Sequence, residues 1–134
     1  MLRGLRIDVE GVLSSVEIDD TTTTLRLDGM NAAIGCNSFD VVSYTDTVDV
    51  WVDDEGLYRS TLNRELSVML RARQPDGQGA WFGAGLFLGI DQATGDSRSL
   101  TDDERAAVVR DWTRQRGPSE YAFAAQWVGP VRTR

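Results

Sequence analysis

Leu86-Phe87-Leu88-Gly89-Ile90 is the stretch on which the fold turns. It is apolar at every position, so it reads as a central strand covered on both faces. Gly83, Gly85 and Gly89 in and before it point to a bulge or a close backbone approach. Working back, Val48-Asp49-Val50-Trp51-Val52-Asp53 alternates, with the valines on one side and Asp49, Trp51 and Asp53 on the other. Phe39 to Tyr44 precedes it across Thr45-Asp46-Thr47, which makes a hairpin. Working forward, Asp91 to Ser99 is a loop with a Thr94-Gly95-Asp96 turn. Thr101-Asp102-Asp103-Glu104 then forms a capping box with an acidic first turn that suits the helix dipole. The helix it opens runs to about Arg116, turns Val108, Val109 and Trp112 inward, and ends at Gly117-Pro118.

The two ends of the chain complete this frame. Leu5, Ile7 and Val9 alternate with Arg6, Asp8 and Glu10 as a half-buried strand. Gly11 breaks it, and Val12 to Ile18 is the second strand of a hairpin. Leu25 to Ile34 carries both patterns: Leu25-Arg26-Leu27-Asp28 alternates, whereas Leu27, Met30 and Ile34 share a helix face. Gly35 sits where a left-handed residue would close a helix, which tips the balance towards a short one. Asp54-Glu55-Gly56 is a turn. Leu62, Leu66, Met69, Leu70 and Arg73 then recur at helical spacing, with Ser60, Thr61 or Asn63 as the cap and Pro75 as the stop. Tyr121 to Trp127 alternates aromatic and small residues and reads equally as an edge strand or a short helix. If Phe123 and Trp127 are not covered within the monomer, they belong in a homodimer interface. The sum is one α+β domain over residues 1–134, a mainly antiparallel or mixed sheet of about four to six strands against two or three helices.

Composition narrows the chemistry. The chain has 134 residues, no histidine and a formal net charge of −7, and all 14 of its basic residues are arginine. The acidic balance argues against direct nucleic-acid binding, which needs a surplus of cations facing phosphate. Without imidazole there is no Ser-His-Asp or Cys-His machinery and no histidine-ligated metal. Without lysine there is no phosphate-loop lysine and no Schiff base. The lone Cys36 rules out an internal disulfide and reads as a small buried apolar residue. With no apolar run near the roughly 18 residues of a membrane span, the expectation is a soluble cytoplasmic protein with no cofactor and no metal.

Carboxylate chemistry and binding remain. Asp102, Asp103 and Glu104 are explained by helix capping, and Asp91 and Asp96 by turn chemistry. The third cluster is the candidate site: Asp49, Trp51 and Asp53 on one strand face, followed by Asp54 and Glu55. Against it stands a plainer reading, a solvated sheet face with Trp51 packed under a helix. A carboxylate pair works as acid and base only where burial splits their pKa values, and spacing does not establish that. No catalytic residue is assigned.

At these residues the chain resembles a known family. Ile34-Gly35-Cys36, Phe39-Asp40-Val41-Val42, Asp49-Val50-Trp51-Val52-Asp53-Asp54-Glu55-Gly56-Leu57 and Leu62-Asn63 follow the order of a small domain of unknown function. That family occurs in bacteriophages and their bacterial hosts, actinobacteria included. It is similar in having a short helix ending in glycine, a "WVDEEG" turn and an Asn-led helix, so Asn63 joins the candidates. The resemblance spans about residues 5–100, with Cys36 where the family has a second glycine and with Leu100 to Arg134 outside it. It implies a helix over Leu25 to Ile34, phage-type accessory biology in the host cytoplasm, and no reaction.

Three expectations about function follow. The first is a non-enzymatic accessory protein that binds a host or phage protein partner through Asp49, Trp51, Asp53, Asp54, Glu55 and Asn63. The second is a homo-oligomer holding a nucleotide-like small molecule, with Gly83, Gly85 and Gly89 admitting it to the backbone and Trp51, Trp81 and arginines stacking on it or pairing with phosphate. The third is a carboxylate- or metal-dependent enzyme using Asp49 to Glu55.

Overall fold

The computed structural model describes residues 1–115. In chain order its elements are β1 (Leu2–Ile7), β2 (Leu13–Ile18), α1 (Thr23–Ile34), β3 (Phe39–Thr45), β4 (Val48–Asp53), α2 (Gly56–Arg59), α3 (Arg64–Arg71), β5 (Gly85–Ile90), β6 (Ser97–Arg98) and α4 (Asp102–Gln115). The strands make one six-stranded sheet in the order β2-β1-β5-β4-β3, with β6 also against β5, and every pairing is antiparallel. The fold is α+β as the sequence predicts. Of the four helices, one more than expected, α2 is a four-residue turn.

β5 sits at the centre because it alone is apolar on both faces. Phe87 joins Leu5, Ile7, Val48, Val50 and Val52 under α3 and α4, which contribute Leu66, Met69, Leu70, Val108 and Val109. Leu86 and Leu88 face the other way, with Leu2, Val16 and Ile18, under Met30 and Ile34 of α1. The sheet is thus filled on both sides, and the valine alternation of β4 sorts as read from the sequence: valines to the first core, Trp51 to the second.

The helix ends follow local chemistry. Thr22 Oγ1 accepts from Leu25 N–H at 3.1 Å to start α1, and Gly35, at φ +78°, closes it. Only Met30 and Ile34 of α1 are buried; Leu27, read as part of the apolar face, is 37% exposed. The reason lies at Gly29, where an added Cβ would stand 2.7 Å from Ile18 Cγ2: the helix touches the sheet through its backbone there and tilts Leu27 away. Leu62 is likewise not part of α3. It pairs in a β-bridge with Phe82, and the helix begins only after Asn63. At α4 the capping box closes in both directions, Glu104 N–H to Thr101 Oγ1 at 3.1 Å and Thr101 N–H to Glu104 Oε1 at 2.9 Å. The expected helix end at Gly117-Pro118 and the aromatic segment with Phe123 and Trp127 lie outside the described residues.

Candidate functional site

The turn that follows β4 is built by its own side chains. Asp53, buried at the strand end, accepts Glu55 N–H at 2.9 Å, and Asp54 accepts from Ser38 Oγ at 2.8 Å. Together these bonds fix the exit from β4 and start α2. Gly56 then passes against the backbone before β5: a Cβ there would lie 2.4 Å from the Phe82 carbonyl oxygen, so no larger residue permits this approach. Ser67 Oγ receives Trp81 N–H at 2.9 Å and holds the same segment to α3.

Between these pieces lies an open groove of about 500 Å³. Its floor is Val42 and Val52 from the sheet, and its far wall is Leu57, Trp81 and Phe82. Asp40, Asp53 and Asp54 also line it. Leu57 is 64% exposed and its neighbour Tyr58 86%, on a surface that also leaves Leu62 exposed. Exposed aliphatic and aromatic side chains grouped beside carboxylates are what a protein-binding surface offers, since Trp and Tyr carry binding energy out of proportion to their number.

The structure divides the residues singled out from the sequence. Asp54 and Trp81 meet in the groove, and Asp53 borders it at the strand end while sharing the strand face of Trp51. Glu55 is exposed and lies 3.8 Å from Arg59. Trp51 is on the opposite face, half-buried, edge-on to Phe39 with ring centroids 5.2 Å apart, and packed against the α1 core. Its indole nitrogen is buried without a hydrogen-bond partner among the described residues. Asp49 is half-buried on that face, and burial raises its pKa. Asn63 is wholly buried. Its Nδ2 donates to Ile7 O at 3.0 Å and Gly83 O at 2.9 Å, and its Oδ1 accepts Leu66 N–H at 3.1 Å as the cap of α3.

Asp40, Leu57, Tyr58 and Phe82 were not picked out from the sequence. A signal for one of them was there: Asp40 shares a strand face with Val42, and so with the valines of β4 across the hairpin. Leu57 and Phe82 carried none, because they reach the groove only through the contact at Gly56.

The space over two of the three glycines proposed to admit a ligand is taken. A Cβ on Gly85 would meet Leu66 Cδ2 at 2.6 Å, and one on Gly89 would meet Arg98 Nη1 at 2.1 Å. Arg98 is held there by Glu104, with bonds of 2.7 and 3.1 Å that draw the carboxyl down to about 2. Among the described residues no group of three or more acidic or cysteine side chains is placed to hold a metal ion. Cys36 is buried, and that burial and then the Asp53 charge raise its thiol pKa. A second polar cluster joins β3, the turn after α3 and α4: Tyr44 Oη donates to Asp111, Arg73 donates to the same oxygen at 2.8 Å, and the guanidinium lies 4.7 Å over the Tyr44 ring. Among the described residues no helix is long and apolar enough to cross a membrane.

A family model described as a domain of unknown function (DUF3846) matches residues 2–113. The match takes in most of α4 and so extends past the residues, about 5 to 100, on which the resemblance rested. No curated protein and no solved structure matches the chain.

Proposed function

The chain belongs to the DUF3846 family, a domain of unknown function, and on that footing we propose that it is a non-enzymatic accessory protein of phage type that binds a protein partner in the host cytoplasm. The observation that carries this reading is the groove between β3, α2 and residues 80–82, where Leu57 and Trp81 stand beside Asp40, Asp53 and Asp54. One of its apolar members, Leu57, is not explained by the fold's own packing: it is more than half exposed, as is its neighbour Tyr58 beside the groove. The phage and actinobacterial setting follows from the resemblance carried by the WVDDEG turn. The dearth of nucleophiles and bases, with no histidine or lysine, supports binding over bond-making.

The test is a comparison of baits. Leu57→Ser and Tyr58→Ala alter exposed side chains and should change stability by no more than about 0.5 kcal/mol. Presented to an actinobacterial lysate with and without phage infection, the native protein should retain a partner that the double variant loses about tenfold or more, as for anchor residues of an interface. Identical retention by both baits, or none by either at several salt concentrations, refutes the reading.

A further inference from the structure

On its β3 side the groove borders a strand edge that has no partner among the described residues. β3 ends the sheet order and, among the described residues, pairs only with β4. Which of its backbone groups point outward follows from the bonds present. In an antiparallel pair, opposed residues alternate between bonded and non-bonded pairs. Asp54 N–H donates to Ser38 O, so Ser38 is in a bonded position. Asp40 and Val42 are therefore bonded positions as well, opposite Val52 and Val50. Phe39, Val41 and Ser43 then turn their N–H and C=O groups away from the sheet. Val41 agrees: its N–H donates at 2.8 Å to the side chain of Asp40 and not to β4, and the residue is 43% exposed.

From this geometry we infer that the β3 edge is a strand-addition site for an extended segment of the partner that carries, on the one face it turns to the groove, an aliphatic and an arginine or lysine side chain two residues apart. The inference rests on the groove being the binding surface and specifies how it is read. Added strands draw affinity from main-chain bonds and specificity from pockets for alternate side chains. Aliphatic side chains of the segment meet Val42 and Leu57 in the groove. Its cations meet Asp40 on the edge and, where β3 begins, Asp54. Asp40 makes the exchange balanced: as a partner carbonyl takes the Val41 N–H, a partner cation takes the released carboxylate. A second copy of this chain is disfavoured as the occupant, because a β3–β3 pairing brings two Asp40 side chains together on molecules of net charge −7.

The experiment uses the full chain, isotope-labelled, and an arginine–valine peptide of seven residues, the length of β3, in which valine and arginine take turns at the odd positions and threonine fills the even ones. Two controls accompany it: the same peptide N-methylated at every second amide, and the same peptide with glutamate in place of arginine. The expected result is saturable binding that protects the amides of Phe39, Val41 and Ser43 from hydrogen exchange, with both controls weaker by about tenfold or more. Shifts at Leu57 and Trp81 without protection of β3, and equal binding of the methylated peptide, would overturn strand addition and leave the groove as the binding surface. Absence of binding by the arginine–valine peptide would overturn the strand-addition inference, while the proposed function would still be judged by whether the Leu57→Ser and Tyr58→Ala bait loses its partner. Protection of the three amides in the free protein would also overturn it, by showing that the edge is covered by a second copy if protection rises with protein concentration, and by the chain itself if it does not.

Discussion

Asn63→Ala should be among the most damaging single changes in this chain, although it removes only a small side chain. The residue has no exposed surface, and its amide makes three bonds: to Ile7 O on β1, to Gly83 O before β5, and from Leu66 N–H at the start of α3. Loss of the cap costs about 1 kcal/mol. Each buried carbonyl left without a donor costs about 1 kcal/mol or more. Together with the void, the loss should come to about 3–5 kcal/mol, a large part of the roughly 5–15 kcal/mol by which a domain is stable. Denaturant unfolding followed by tryptophan fluorescence measures it. Asn63→Asp separates the contributions, since it keeps the acceptor for Leu66 but turns an oxygen towards the two carbonyls. The introduced carboxyl should have a raised pKa in the folded state, so this variant should be more stable near pH 5 than at pH 7. A loss below about 1 kcal/mol for Asn63→Ala would refute the reasoning. So would an Asn63→Asp variant that loses no stability between pH 5 and pH 7.

Glu104 should govern part of the acid limb of stability. Its pKa is lowered from 4.5 to about 2, first by Arg98, so its contribution is complete above about pH 4.5 and is lost as pH falls towards 2. Glu104→Gln should flatten that limb and remove about 2 kcal/mol at neutral pH, read by denaturant midpoints at stepped pH; an unchanged limb would count against the ion pair. Gly56→Ala forces α2 off the Phe82 carbonyl and should cost about 1–3 kcal/mol while altering Trp81 emission, and a native-like spectrum and midpoint would contradict the close approach. Asp111→Ala strands both the buried Tyr44 hydroxyl and Arg73, whereas Tyr44→Phe leaves the Arg73 bond intact. In thermal unfolding the first should therefore lose about 2 kcal/mol and the second about 1; the reverse order would show that the ring, and not the carboxylate, anchors the cluster.

How much of this was legible depended on the range over which each feature is decided. The strands could be read because alternation at Val48 to Asp53 and continuous apolarity at Leu86 to Ile90 are local records of which faces are covered. The cap of α4 could be read because Thr101 and Glu104 bond to one another within one turn. Leu62 misled because its spacing from Leu66 is helical, while the cap at Asn63 holds an extended backbone, φ −95° and ψ 96°, that ends the helix there. Leu27 misled because the seat of α1 is decided by Ile18 against Gly29, a contact between distant segments. The groove was only partly visible for the same reason. Asp53 and Asp54 announce themselves in the turn, but Asp40, Leu57 and Trp81 come from three stretches that no periodicity links.

The residues that carry the family resemblance fall into two groups when placed in space. Gly35 closes α1, Trp51 fills the second core, Gly56 admits the Phe82 backbone and Asn63 ties α3 to β1. These are conditions for the frame, and they explain how a pattern can be recognised without disclosing an activity. Asp40, Asp54 and Leu57, from the same quoted stretches, instead line the groove. The frame has a direct bearing on the groove, because α2 and residues 80–82 are brought to β3 by Gly56 and by the Asp53 and Asp54 bonds that shape the turn. A surface assembled this way keeps Leu57 exposed at little cost, since the packing that stabilises the domain lies on the inner faces of the helices and sheet. Side chains such as Leu57 and Tyr58 can therefore be exchanged without unfolding the protein, which is the property a binding surface needs if its partner is to change while the scaffold stays.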